Sequence, residues 1–213
     1  MRISSAGSAG IGERRVVPKL LRSLLLLLGV VLPLAGCGIN NIPNYSEQAK
    51  AAWAQVLNQY QRRADLVPNL VQTVKGAANF ETKTLQAVVD ARSKVGQMQL
   101  PADILNNPQA MQAFEQNQGA LTSALSRLMV VVEQYPDLKA NANFQTLQAQ
   151  LEGTENRIAV ARRDYIDAVR QYNTELKTFP GRIWAMLLYS SYKEMAQFTA
   201  DEKAMTVPTV NFN

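Results

Sequence analysis

Phe144, Leu147, Leu151, Thr154, Ile158, Ala161, Tyr165, Ala168 and Tyr172 follow one another at steps of three or four residues. Steps averaging about 3.5 residues place these side chains along one face of a helix, whereas a strand would need strict alternation. The spacing predicts a helix from near Asn141 or Asn143 to about Thr178, on the order of 50 Å long at about 1.5 Å per residue. A second run, Met111, Phe114, Gln118, Leu121, Leu125, Leu128, Val132 and Tyr135, predicts a helix that begins at Asn107-Pro108, an amide cap followed by a first-turn proline, and stops before Pro136.

A third run, Leu57, Tyr60, Ala64, Val67, Val71, Val74, Ala78, Glu81, Leu85, Val88, Arg92 and Val95, predicts a helical region over about 46–95. Pro68 interrupts it. Either the helix kinks there, or one helix ends near Arg63 and Asp65 caps the next; because the stepping keeps its phase across the proline, the kink is preferred, with Asp65 and Asn69 as caps around it. Phe179-Pro180-Gly181 ends the last long helix. The next stretch, 182–197, is expected to be a short helix whose stripe of Ile183, Met186 and Leu187 packs across the bundle end. Its Trp184, Tyr189 and Tyr192 also suit a membrane interface, which is the alternative. The ending from Val207 to Phe212 reads as extended. The predicted fold is all-α: an elongated antiparallel bundle of three long helices with coiled-coil-like seams, plus a short C-terminal helix.

The N-terminal part reads differently. Arg14, Arg15, Lys19 and Arg22 precede the apolar run 23–34, and Leu34-Ala35-Gly36-Cys37 follows with the only cysteine of the chain. A basic stretch, a short apolar core and small residues are the parts of a signal peptide. The core is too short for a spanning helix of roughly 20 residues, and Pro33 breaks it. Small residues directly before cysteine resemble the lipobox of a bacterial lipoprotein. That resemblance implies cleavage before Cys37, a diacylglycerol thioether on it, and an acyl chain such as palmitate on the new N-terminus. Gly38, rather than an aspartate, then implies the periplasmic face of the outer membrane in a Gram-negative host. The chain divides into a signal peptide (1–36), a polar tether (37–44) and a helical domain (45–213).

Cleavage changes the charge. The 22 basic and 17 acidic residues become 17 and 16 once the five basic residues and one acid of 1–36 are removed. The remaining charges are interspersed, so no basic patch for nucleic acid is left. There is no histidine, which excludes Ser-His-Asp and Cys-His nucleophilic systems, His-ligated zinc and the Glu-x-x-His pairs of di-iron bundles.

Carboxylates are the remaining candidates for chemistry. Glu152 and Glu155 share a helix face and precede Arg157, Arg162, Arg163, Asp164, Asp167 and Arg170. Such a pair could bind a metal or act as acid and base; a salt-bridged helix surface is the plainer reading. Glu81 and Arg92 fall on the first apolar run. If buried, each needs a partner and would fix helix register; otherwise they line a polar pocket.

The segments Arg62-Arg63-Ala64-Asp65-Leu66-Val67-Pro68-Asn69-Leu70-Val71 and Val74-Lys75-Gly76 resemble the start of LemA family proteins, as do Glu81 and Ala91-Arg92. Val132-Glu133-Gln134-Tyr135-Pro136-Asp137-Leu138-Lys139-Ala140-Asn141 is similar to the family's most recognisable block. Phe144-Gln145-Thr146-Leu147-Gln148 and Leu151-Glu152-Gly153-Thr154-Glu155-Asn156-Arg157-Ile158 continue it, and Phe179-Pro180 and the 208–212 ending fit as well. The similarity covers about 45–213. Many family members carry an uncleaved membrane helix where this chain has a lipobox, and the family usually has Tyr-Asn where Tyr165-Ile166 stands here. The resemblance implies an antiparallel helical bundle facing away from the cytoplasm, with no established enzyme activity or cofactor.

The resulting expectation is a non-enzymatic envelope protein without cofactor or metal. It is held at a membrane through acylated Cys37 and serves as a structural or interaction scaffold for another envelope protein. The alternative is a carboxylate-dependent metal-binding protein or hydrolase using Glu152 and Glu155.

Overall fold

The computed structural model describes residues 38–76 and 80–198. Contacts divide the chain between Ile39 and Asn40, and the described helices all belong to the unit beginning at Asn40. Among the described residues every regular element is helical: α1 (Asn41–Lys75), α2 (Thr82–Gln97), a 3-10 turn (Ile104–Asn106), α3 (Pro108–Val132), α4 (Pro136–Lys139), α5 (Ala142–Lys177) and α6 (Gly181–Leu187). None of them is long and apolar enough to cross a membrane. The signal segment with Cys37, Ala78 of the first seam and the 207–212 ending lie outside the described residues.

Local chemistry sets the helix starts. Asn107 accepts from the Ala110 N–H at the head of α3, with Pro108 in the first turn. Asn141 accepts from the N–H groups of Asn143 and Phe144 at the head of α5. Pro136 does more than stop α3: it opens the single turn α4, which buries Leu138. Helix α1 begins at Asn41 and so takes in 41–44, part of the predicted tether.

Cross-helix bonds fix how α1 and α5 lie. Asn41 Nδ2 donates to Glu175 Oε1, Arg162 Nη1 to Tyr60 Oη, and Arg63 Nη1 to Glu155 Oε1. Positions on α5 fall as those on α1 rise, so the two longest helices are antiparallel.

The helical region predicted over 46–95 is two helices. Glu81 is exposed and sits at the N-cap position of α2 with extended backbone and no side-chain capping bond. Glu81 is therefore not buried on the seam, and the register role that depended on its burial does not arise. Apolar stepping does not register the break, because α2 presents apolar residues at the same interval that α1 uses. Arg92 is exposed too, not buried on the seam.

Pro68, in contrast, lies inside α1. It withholds the N–H that would bond the Ala64 carbonyl one turn back, and Arg92 Nε of α2 reaches that oxygen at 3.5 Å. Asp65 and Asn69 are exposed residues within the helix and not caps, since no helix end exists there to be capped. Asp65 accepts from the Gln61 side chain, and the Asn69 carbonyl accepts from Thr73 Oγ1.

Among the described residues the interior holds two apolar clusters. One gathers Ile42, Ala49, Trp53, Val56 and Tyr60 of α1, Met111 and Phe114 of α3, and Ile158, Ala161, Tyr165, Val169 and Tyr172 of α5. Its aromatic rings meet edge-on or tilted, Trp53 against Phe114 and Tyr165 at 5.2 and 5.4 Å, a favoured geometry for ring quadrupoles. The other gathers Val67, Leu70, Val71 and Val74 of α1, Leu85 and Val88 of α2, Leu121, Leu125, Leu128 and Val132 of α3, and Phe144 and Leu151 of α5.

The C-terminal part departs most from expectation. Helix α6 ends at Leu187, and 192–198 is a strap without helical structure laid along α5. Met195 and Phe198 enter the first cluster. Side chains hold the strap by its main chain. Tyr165 Oη donates to the Ala196 carbonyl and Tyr172 Oη to that of Lys193. The Asn173 amide both donates to and accepts from the Met195 backbone. Trp184, Ala185, Tyr189 and Tyr192 pack against the core. The stripe expected to face the bundle, Ile183, Met186 and Leu187, faces outward instead. With only seven residues, α6 seats one edge on the bundle and leaves the other uncovered.

Candidate functional site

Between the two apolar clusters the three long helices each contribute a buried polar residue: Arg63 from α1, Gln118 from α3 and Thr154 from α5. Gln118 and Thr154 occupy positions of the apolar stepping, Gln118 between Phe114 and Leu121 and Thr154 between Leu151 and Ile158, whereas Arg63 lies one place off its run, beside buried Ala64. Arg63 is 1% exposed. Its Nη1 donates to Thr122 Oγ1 at 2.6 Å and Glu155 Oε1 at 2.9 Å. Its Nη2 donates to the Gln118 carbonyl at 3.2 Å and Gln118 Oε1 at 2.6 Å. The guanidinium carbon lies 5.0 Å from the centre of the Tyr60 ring. Only Arg63 Nε, also buried, has no acceptor among the described residues.

A charge taken out of water at this depth is tolerated only with such a set of partners. Those partners come from α3 and α5, so sliding α3 against α1 by one turn would remove Gln118 and Thr122, and sliding α5 would remove Glu155. The layer can therefore act as a register lock. Arg63 is not among the candidates that the sequence singles out. The usable signal is the two polar interruptions, Gln118 and Thr154, in otherwise apolar stepping; Arg63, one place off its run, leaves none.

The predicted carboxylates sort around this layer. Glu155 belongs to it as the counter-ion of Arg63. Glu152 is exposed and accepts from Gln148 Nε2. Both border a groove with Thr122, Leu125, Met129 and Leu151, but Glu81 stands apart at the head of α2. Among the described residues no group of three or more His, Cys, Asp and Glu is placed to hold a metal. Arg157 is exposed and borders a different hollow, with Ala52, Gln59 and Val160. Arg92 borders an open groove formed with Leu57, Tyr60, Ala64, Met98 and Phe114.

Burial also marks two phenols. Tyr165 titrates well above the usual tyrosine range because the surrounding core disfavours its anion. Burial, with a smaller contribution from Tyr192, pushes Tyr172 up to about 12. Both act as neutral donors to the strap.

The LemA family model matches residues 52–212. The chain belongs to the LemA family. Among curated proteins, this LemA-family chain is similar to magnetosome protein MamQ 2 of Paramagnetospirillum magneticum, at 27% identity over 187 residues, covering 80% of this chain and 68% of the relative. It is also similar to Protein LemA of Metamycoplasma hominis, at 27% identity over 140 residues, covering 66% of this chain and 57% of that protein. Arg63, Gln118, Thr154 and the strap all lie inside the matched span, and Cys37 lies before it.

Proposed function

We propose that this protein is a lipid-anchored envelope scaffold, fixed to a membrane through acylated Cys37 and presenting a register-locked helical bundle to a protein partner. The observation carrying this reading is the distance along the chain from Cys37 to the first helical residue, Asn41: four positions, at most about 14 Å even if fully extended. A leash this short keeps the head of the bundle within about 14 Å of the anchored cysteine, which suits a scaffold better than a tethered enzyme. Membership of the LemA family supports membrane association, and the name of the MamQ relatives assigns them to a cell body rather than to a reaction. In a Gram-negative host the proposed site is the periplasmic face of the outer membrane.

Mass spectrometry of the mature protein is expected to find an acylated N-terminal Cys37. Cys37→Ser is expected to abolish both lipid labelling and cleavage at that point. An unmodified N-terminus, or one elsewhere, overturns the anchor.

The carboxylate alternative is weakened because Glu155 is bound to Arg63 and Glu152 to Gln148. The proposed role is accordingly non-enzymatic and without cofactor.

A further inference from the structure

Five of the nine large apolar side chains exposed on the described surface lie within ten residues: Phe179 (79% exposed), Ile183 (45%), Met186 (71%), Leu187 (68%) and Leu188 (57%). The other four, Val89, Leu100, Val130 and Val160, are scattered over α2, the loop after it, α3 and α5. Single exposed apolar residues are ordinary, whereas a concentrated group marks a surface that something covers. Ile183, Met186 and Leu187 stand at i, i+3 and i+4 of α6 and share its outward face. Exposed Arg182 adjoins them and has no ion partner among the described residues. Trp184, Ala185 and Tyr189 fix the opposite face to the core, so the outward face is presented rigidly.

The position of this cap indicates its occupant. Gly181, the first residue of α6, packs so closely on Glu175 that a Cβ there would collide with the Glu175 carbonyl. The Glu175 carboxylate in turn accepts from Asn41. The head of α1, the foot of α5 and α6 thus form one end of the bundle, and Cys37 is four positions before Asn41 in the chain. An apolar face with an exposed arginine beside it, without an ion partner among the described residues, has elements of interfacial membrane-binding helices, and it sits at the end of the bundle from which the anchored chain would leave.

We propose that the 179–188 cap inserts into the interface of an anionic lipid bilayer, so that the bundle meets the membrane through its α6 end. This rests on the anchored reading above but fails separately from it. A photo-crosslinking benzoylphenylalanine is placed at Met186 in the full chain, and separately at Val160. Val160 is also exposed, but it lies on α5 about 26 Å from the Lys177 end of that helix, at about 1.5 Å per residue. Each protein is reconstituted into vesicles of phosphatidylethanolamine and phosphatidylglycerol and irradiated. Several-fold more phospholipid adduct is expected at 186 than at 160, and Arg182→Glu is expected to lower it. Equal adducts at the two positions, or an adduct to protein at 186, overturn the cap. Mass spectrometry of the same preparations separates the two ideas. Acylated Cys37 without a lipid adduct at 186 overturns the cap alone, and a lipid adduct at 186 with unmodified Cys37 sustains the cap while removing the anchor.

Discussion

Arg63 and Glu155 are joined at 2.9 Å across α1 and α5, with the guanidinium side chain 1% exposed and the carboxylate side chain 39% exposed. The asymmetry decides how each end responds to mutation. Glu155→Ala leaves Arg63 with Gln118 and Thr122, and water can reach part of the vacated space, so a loss of about 1–3 kcal/mol is expected. Arg63→Ala opens a cavity and strands the Gln118 amide at once, and about 3–5 kcal/mol is expected. Chemical denaturation measures both. A larger effect at Glu155 than at Arg63 would refute the layer as described.

Core truncations test the phase of α3 and α5. Leu125→Ala and Ile158→Ala are each expected to cost about 2–5 kcal/mol. Arg163 is exposed, with only a loose 3.9 Å approach to Asp164, and Arg163→Ala is expected to change stability by less than about 1 kcal/mol. Thermal or denaturant unfolding of the three variants separates these cases; comparable losses at Ile158 and Arg163 would contradict the burial assigned to α5.

Pro68 and Arg92 form the next test. If Arg92 serves the carbonyl that Pro68 leaves open, then Pro68→Ala supplies an N–H to Ala64 and makes Arg92 redundant. Arg92→Ala is expected to cost about 0.5–1.5 kcal/mol in the native background, and less once Pro68 is alanine. A double-mutant cycle in denaturant reads the coupling, and strict additivity would refute it.

Alkaline pH should loosen the strap. The folded-state values of Tyr172, at about 12, and of Tyr165, higher still, lie above that of an unfolded tyrosine near 10. Their contribution is therefore complete below about pH 10 and declines as the pH rises toward the folded-state values. Deprotonation also turns a donor toward the Lys193 or Ala196 carbonyl into an anion. Unfolding midpoints are expected to fall across this range, less steeply in Tyr172→Phe and Tyr165→Phe. An unchanged slope in both variants would place the pH sensitivity elsewhere.

The helices are legible in the sequence because burial repeats along them. The seams predicted for α3 and α5 reappear in the core, and Asn107 and Asn141 cap where their amides suggest. The late drift on α5, where Val169 and not Ala168 is the buried residue, follows from 3.6 residues per turn against a 3.5 repeat. Apolar spacing records which side chains avoid water, not whether the backbone between them is continuous, so the end of α1 and the strap both escape it. Of the candidate residues, Glu155 enters a structured site, as a counter-ion. Arg63 is hidden by the habit of reading arginine as surface, and only comparison of the three helices at equivalent depth exposes it.

The clasp on 192–198 recognises peptide groups, since the side chains of Tyr165, Tyr172 and Asn173 all address backbone atoms. Lys193, Glu194 and Gln197 are open to solvent, Glu194 paired with Lys177, whereas Met195 and Phe198 enter the interior and Tyr192 and Ala196 pack against it. The segment therefore has four letters set by packing and three open ones. Surface chemistry along this edge can be rewritten by substitution without unfastening it, giving the bundle a margin on which new specificities can be inscribed.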